Sequence, residues 1–382
     1  MRALIDYRPA LRERSGIGEY THELARGLAA SFDAATLDLA LFSSSWKDRL
    51  EIHEPGLDRA RTIDRRWPVR VLNFAWHRAG WPAVEAVTGE RFDVVHSMTP
   101  LLIPSREAAQ VITIADLSFL TDPTWARDEI RRDYPALIHA HARRADAIVV
   151  MSEHVGGEVR RVIGADAKKI AVVPAGAPDW TPRATAPANG YVLFVGTLEP
   201  RKNVGVLLDA FESLSRRSPK GEGGAGQAGR ELVLAGKATD AAGPWLDRIA
   251  RPPLAGKVRH LGYVHAGDRR ALYEGASVLV LPSLDEGFGL PVLEAMTLGV
   301  PVVASRRGSL PEVLGDAGQL ADANDTQGFA EAIDRVLRDA SFAAACAAKG
   351  IERSRQFRWD RAARQTYEVY EQAIAHRRCA SA

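Results

Sequence analysis

The chain has 382 residues, 46% of them hydrophobic and 26% charged, with a formal net charge of only +2. That composition excludes global disorder and gives no support to sequence-wide nucleic-acid binding. Two cysteines, Cys346 and Cys379, exclude a disulfide framework and show no ligand spacing. The length suits two domains of similar size. No run of about 18 apolar residues is present, and the opening "MRALIDYRPALRERSG" lacks the apolar centre of a signal peptide. A reducing, cytoplasmic location is expected.

In chain order, short apolar runs alternate with amphipathic stretches. The runs are Ala3–Ile5, 37–42, 93–96, 111–115, 147–151 and 170–174, and then 191–196, 231–236, 258–264, 277–283 and 300–305. They are continuously apolar, as parallel strands buried on both faces are. Helical periodicity lies between them, for example over 18–32 and 203–217. The alternation predicts doubly wound α/β sheets. The Pro-rich segment 174–190 reads as an interdomain linker, and the Gly-rich segment 218–230 as a surface loop of the second half. Expected domains are therefore 1–180 and 187–358, with a C-terminal helix in 359–382 packing back on the first domain.

The stretch "LPSLDEGFGLPVLEAMTLGVPVVAS" (281–305) carries the chemistry. A strand ends, a glycine-broken turn follows, and a helix begins near Pro291 and stops near Gly299. Gly287 and Gly289 allow close approach of the backbone, and the N–H groups of Gly289, Leu290 and the first helical turn form an anion site. Glu286 and Glu294 bracket that site. Carboxylates would repel a phosphate, so hydroxyls are their expected partners. Phosphate at a helix end with hydroxyls beside it describes a nucleotide sugar. The plainer alternative is acid enriched at a helix start for dipole reasons. "GTLEPRKN" (196–203) places Gly196, Arg201 and Lys202 at another strand end, where fixed cations would stabilise a departing diphosphate. An exposed basic pair is the alternative.

"EGFGLPVLEAMTLGVPVVAS" resembles the signature of the retaining glycosyltransferases of family 4, and segments at 15–24, 115–125, 144–154, 194–211, 261–264 and 308–318 resemble that family in family order. The resemblance implies the GT-B fold, two Rossmann-like domains facing across a cleft, with a nucleotide sugar as donor. It gives Glu286 the hydroxyls of the donor sugar and Glu294 the ribose. Lys202 takes the phosphates, with Arg201 beside it. Phe288, Gly289 and Leu290 bind through backbone N–H groups, and "LGYV" places Tyr263 and Val264 at the base. It puts the loop of Gly16 and Gly18 near the donor phosphates and the acceptor. Alone, that G-x-G is as often a plain turn. Two departures stand out: Ala115 where relatives often carry histidine, and Thr197 where many carry arginine.

Two strand-end residues of the first domain have open readings. His96 either faces the cleft or is a satisfied buried histidine. Asp116 either bonds the acceptor or caps its loop. Residues 61–82 interleave Arg61, Arg65, Arg66, Arg70 and Arg78 with Trp67, Trp76 and Trp81. This is either a peripheral membrane contact or an ordinary basic surface over a tryptophan cluster.

The function expected is retaining transfer of a hexose, with GDP-mannose as first choice of donor and UDP-sugars second. The acceptor would be a glycan or a polyprenyl-diphosphate-linked glycan of surface polysaccharide assembly. No cofactor or metal is called for, since no ligand cluster is evident. An epimerase lacks a visible acid–base set, and a catalytically silent nucleotide-sugar-binding scaffold is the reading from a different class.

Overall fold

A computed structural model describes residues 1–11, 14, 16–46, 48–50, 56–125, 128–217 and 231–381. The segment 218–230 and part of the loop before Gly16 lie outside the described residues. The chain forms two compact units, 1–176 with 358–382, and 177–357. The division therefore falls at 176/177 rather than in the 180–187 segment.

The first unit holds a seven-stranded sheet. Its strands are β1 (Arg2–Asp6), β2 (Asp38–Ser43), β3 (Arg61–Asp64), β4 (Val94–Ser97), β5 (Ala109–Ile114), β6 (Ala147–Val150) and β7 (Ile170–Val172). They run in the order β3-β2-β1-β4-β5-β6-β7, and every ladder is parallel. The second unit has β8 (Tyr191–Val195), β9 (Leu232–Ala235), β10 (Val258–Gly262), β11 (Ala276–Leu281), β12 (Val302–Ser305) and β13 (Gln319–Ala321). Their order is β10-β9-β8-β11-β12-β13, again parallel throughout.

The apolar runs form these sheets because helices cover both faces. β5, for instance, is buried at every residue. Truncating a side chain such as Leu279, fully buried in β11, to alanine would cost about 2–5 kcal/mol. The strands that the apolar pattern misses, β3 and β13, are edge strands only partly buried. An edge strand has one neighbour and needs no continuous apolar run.

The last helix, Trp359–Ser381, belongs to the first unit. Its rings meet the Ile17–Ser31 helix and the residue that follows it: Trp359 lies 5.8 Å from Tyr20, and Tyr367 stacks on Phe32 at 4.3 Å.

In each sheet the order reverses between two neighbours, β1/β4 and β8/β11. At such a point the connections leave in opposite directions, and a crevice opens at the carboxyl ends of the strands. The loops singled out in the second unit, 196–203 and 282–289, leave those two neighbouring strands.

Candidate active site

After β8 the chain makes a short turn, Pro200–Lys202, ended by Asn203 in the left-handed conformation at φ 54°. The Asn203 amide donates to the carbonyls of Pro282 and Ala323, at 3.1 and 2.7 Å. The Leu284 N–H donates to the Arg201 carbonyl at 2.8 Å. The two loops are thus stitched together by hydrogen bonds to their backbones.

Glu286 lies at the centre and is 6% exposed. Lys202 Nζ donates to its Oε1 at 2.5 Å, and Ser283 Oγ donates to the same oxygen at 2.8 Å. The Arg201 guanidinium stands 3.6 Å from Oε2. Burial by itself would push the Glu286 carboxyl up. The charges of Lys202 and Arg201, with the hydrogen bonds from Lys202 and Ser283, outweigh that and hold it below the usual carboxylate range. Arg201 also donates to the Asp285 carbonyl at 3.0 Å and to Glu199 at 2.9 Å. Two cations and two carboxylates make this cluster formally neutral. An arriving diphosphate would meet Lys202 and Arg201 already oriented by carboxylates.

The loop carrying Glu286 is held from the far side by Ser309. Its N–H and hydroxyl both donate to the Glu286 carbonyl, at 2.9 and 3.0 Å, and its hydroxyl lies 2.8 Å from the Phe288 carbonyl. A Cβ on Gly308 would lie 2.5 Å from the Glu286 backbone, so only glycine fits there. Gly289 adopts φ 100° and opens the Leu290–Thr297 helix without a side-chain cap. A side chain at Gly289 would be strained and would meet Leu310 at 2.9 Å. The helix N-terminus therefore keeps a bare backbone, as an anion site requires. Phe288 is buried edge-on against Phe357, 5.9 Å between ring centres. It contributes packing and its backbone, while Leu290 is half-buried.

Glu294 is the fifth residue of that helix, not a first-turn residue as the sequence suggested. The dipole explanation therefore loses its basis for Glu294. Its two oxygens accept from Arg269 at 2.8 Å and from Tyr273 at 2.6 Å. Burial, with the Glu294 charge and hydrogen bond, holds the Tyr273 phenol well above its ordinary value, so it remains a donor. Arg269 and Tyr273 come from the Ala266–Glu274 helix. Sequence reasoning missed them, although their i, i+4 spacing puts them on one face. It also missed Ser283, Ser309, Glu199 and Asn203, whose roles depend on how the loops fold together.

Tyr263 and Val264 follow the edge strand β10 and are half-buried, with the Tyr263 ring edge-on to His265 at 5.1 Å. Gly196 follows β8, and its N–H donates to the Ala235 carbonyl at 2.9 Å.

The first unit looks different at its own strand ends. Gly16, at φ 52°, is the exposed N-cap of the Ile17–Ser31 helix, but Gly18 is buried inside that helix. Gly18 is thus not a loop residue. His96 is fully buried, with Nδ1 2.8 Å from the Tyr370 hydroxyl and Nε2 2.8 Å from the Thr113 hydroxyl. Burial lowers its pKa to about 3, so the ring is neutral. Of the two readings of His96, this geometry is that of the satisfied buried histidine, and the cleft-facing one is corrected. Asp116 accepts from the N–H and hydroxyl of Ser118, at 3.0 and 2.6 Å, which caps its own turn. Among the described residues, no group of three or more His, Cys, Asp or Glu side chains is arranged to hold a metal ion.

Two α/β units, each built on an all-parallel sheet, form the GT-B fold, which solved glycosyltransferase structures share over nearly the whole chain. Residues 189–339 match the glycosyl transferases group 1 family, and residues 15–176 match the glycosyl transferase 4-like domain. The chain belongs to the group 1 glycosyltransferases. It is 30% identical to O-antigen chain mannosyltransferase B of Escherichia coli over 97% of this chain and 100% of that protein. In structure it is similar to the sucrose-phosphate synthase of Thermosynechococcus elongatus, with TM-score 0.76 and 23% identity over 98% and 99% of the two chains. An Anabaena protein solved in complex with UDP and glucose aligns at TM-score 0.69 and 19% identity, over 97% of this chain and 99% of that one.

Proposed function

We propose that this glycosyltransferase moves mannose from GDP-mannose, with retention of anomeric configuration, to a growing or lipid-linked glycan in surface polysaccharide synthesis. The observation that carries the choice of sugar and pathway is the end-to-end similarity to an O-antigen chain mannosyltransferase. The site geometry supports the chemistry. In this reading the diphosphate lies between Lys202 and the bare helix end at Gly289, the hexose hydroxyls meet Glu286, and the ribose meets Glu294. Departure of the diphosphate builds negative charge where Lys202 and Arg201 are already fixed, so little reorganisation is needed as the bond breaks. The acceptor hydroxyl attacks from the face the diphosphate leaves, and its proton passes to the departing phosphate oxygen. Glu286 is held ionised by two cations, which suits accepting hydroxyl hydrogen bonds rather than donating a proton.

The test is turnover of GDP-mannose, UDP-glucose and UDP-N-acetylglucosamine with a mannose-terminated oligosaccharide acceptor, followed by NMR of the new anomeric proton. GDP-mannose consumption with an α-linked product is expected. Turnover confined to UDP-sugars would overturn the donor assignment, and a β-linked product would overturn retention.

A further inference from the structure

Among the described residues the exposed large apolar side chains are Trp46, Trp67, Val71, Phe74, Trp81 and Leu261, and all but the last fall within residues 46–81 of the first unit. They gather at one corner of the fold. β2 and β3 are neighbours, and the loops leaving their carboxyl ends run together. The Arg65 N–H donates to the Ser43 carbonyl at 2.9 Å and the Trp67 N–H to the Ser44 carbonyl at 3.3 Å. That places the loop bearing Trp46 beside Trp67. The chain then enters the Val69–Phe74 helix and the wider turn Ala75–Ala79, and the Trp81 N–H closes back on the Ala75 carbonyl at 3.3 Å.

The segment has two faces. Leu72 and Trp76, four residues apart, are buried in the core of this unit with Leu4, Phe42 and Val84. Val71 and Phe74, three apart on the Val69–Phe74 helix, are 60% and 66% exposed, and Trp67, just before that helix, is 40% exposed. Trp81, whose backbone closes on Ala75 next to Phe74, is 66% exposed as well. Hydrophobic burial thus accounts for Trp76 but leaves four large apolar side chains of residues 67–81 in water. Exposed large apolar side chains concentrated in one short segment mark an interaction surface.

Charge selects the partner. Between Asp64 and Glu85 there is no acidic residue, while Arg65, Arg66, Arg70 and Arg78 all lie there. Arg65 is engaged with the Thr88 carbonyl and Arg78 with Asp133. Arg65, Arg66 and Arg70 are all exposed to solvent, next to Trp67 and Val71 in the chain. Indole rings beside guanidinium groups match the boundary between anionic headgroups and acyl chains, where an aromatic body is buried and its polar edge stays wet.

We propose that this corner, Trp46, Trp67, Val71, Phe74 and Trp81 with Arg66 and Arg70, docks the first unit onto an anionic phospholipid surface. No helix of the described residues is long and apolar enough to cross a membrane; side chains exposed at a corner of a folded unit make a peripheral contact. It would bring the enzyme to lipid-borne molecules. The proposal stands apart from the donor assignment, because vesicle binding is read with no substrate present.

The experiment is co-sedimentation of the full chain with vesicles of phosphatidylcholine alone and of phosphatidylcholine with phosphatidylglycerol. Wild-type protein should pellet with the phosphatidylglycerol vesicles and be released by added salt. Trp67→Ser, Phe74→Ser and Trp81→Ser combined should lower binding roughly tenfold or more. Arg66→Glu with Arg70→Glu should lower it by at least roughly tenfold on the anionic vesicles. Leu261→Ser, in the second unit, should bind as wild type. These side chains are exposed, so circular dichroism and melting temperature should stay unchanged in every variant. Wild-type protein left in the supernatant, equal binding to phosphatidylcholine alone, or unchanged binding by the variants would overturn the proposal. So would loss of self-association in the same variants, in ultracentrifugation, without any vesicle binding; that outcome would make a second copy of the chain the partner.

Discussion

The two units share one architecture and use its reversal point in opposite ways. Between β8 and β11, Lys202, Arg201 and Glu286 converge beside an uncapped helix end. Between β1 and β4, polar groups are consumed by the fold. Asp6 is paired with Arg8, whose guanidinium also donates to Asn73 at 2.7 Å, and His96 spends both nitrogens on Thr113 and on Tyr370 of the last helix. Burial alone would lower the Arg8 pKa, yet Asp6 beside it keeps it raised. A strand end at a reversal point is thus an opportunity, and the partners available to its side chains decide whether it becomes a site. In the second unit the charged groups hold one another ready. In the first, His96 holds the C-terminal helix.

This contrast fails outright if the cation of the second unit proves dispensable. Lys202→Ala should lower turnover by about two orders of magnitude, roughly 3 kcal/mol of lost transition-state stabilisation. His96→Gln should leave turnover within about threefold, since the effect of a fully buried ring held by Tyr370 and Thr113 falls on stability rather than on the reaction. Steady-state kinetics on both variants checks this, and near wild-type turnover by Lys202→Ala would remove it from the mechanism.

Within the second unit, the two glutamates can be told apart. Glu294→Gln should weaken binding of free GDP by about tenfold, on the order of one charge-assisted hydrogen bond. Glu286→Gln should leave GDP binding near wild type and impair transfer, because its proposed contact is the hexose. Calorimetry with GDP alone distinguishes them; equal effects of the two changes would sink the assignment.

A smaller effect concerns acid stability of the first unit. His96 titrates near 6.5 when unfolded and at about 3 when folded, so the unfolded chain binds more protons between those values. Stability from this group is complete above about pH 6.5 and falls as pH drops toward 3, by up to about 1.4 kcal/mol per pH unit. His96→Gln should flatten that part of the profile in denaturant titrations across this range, and an unchanged slope would show that burial does not depress the histidine.

Metal removal should have no effect. Donor consumption should survive exhaustive chelation with EDTA, because Lys202, Arg201 and the Gly289 helix end are proposed to face the diphosphate. Complete loss, restored only by a divalent ion, would make a metal part of the reaction, with the Asp285 carboxylate next to Glu286 as a candidate ligand.

Much of this arrangement is legible in the sequence. Continuous apolar runs identify buried parallel strands, because burial on both faces writes itself into every residue. The loops of Glu286 and Lys202 are legible because glycine, proline and charge mark the step from strand to helix. β3 (RTID) and β13 (QLA) are not: both are short edge strands whose few residues mix polar with apolar, while the edge strands β7 and β10 fall within longer runs that are legible. Nor are Arg269 and Tyr273 as partners of Glu294, because a contact between two helices depends on how they pack. His96 stands at a strand end and invites a functional reading. Its partner Tyr370 is 274 residues away, and only the returning helix reveals it.

Whether nucleotide binds at the β8/β11 reversal and not at its counterpart can be decided by hydrogen exchange with and without GDP. Added protection is expected in the loops 197–203 and 284–290 and in the Leu290–Thr297 helix, with β4 and β5 unchanged. Protection appearing at the carboxyl ends of β1 and β4, with the second unit unaffected, would contradict the assignment of the site.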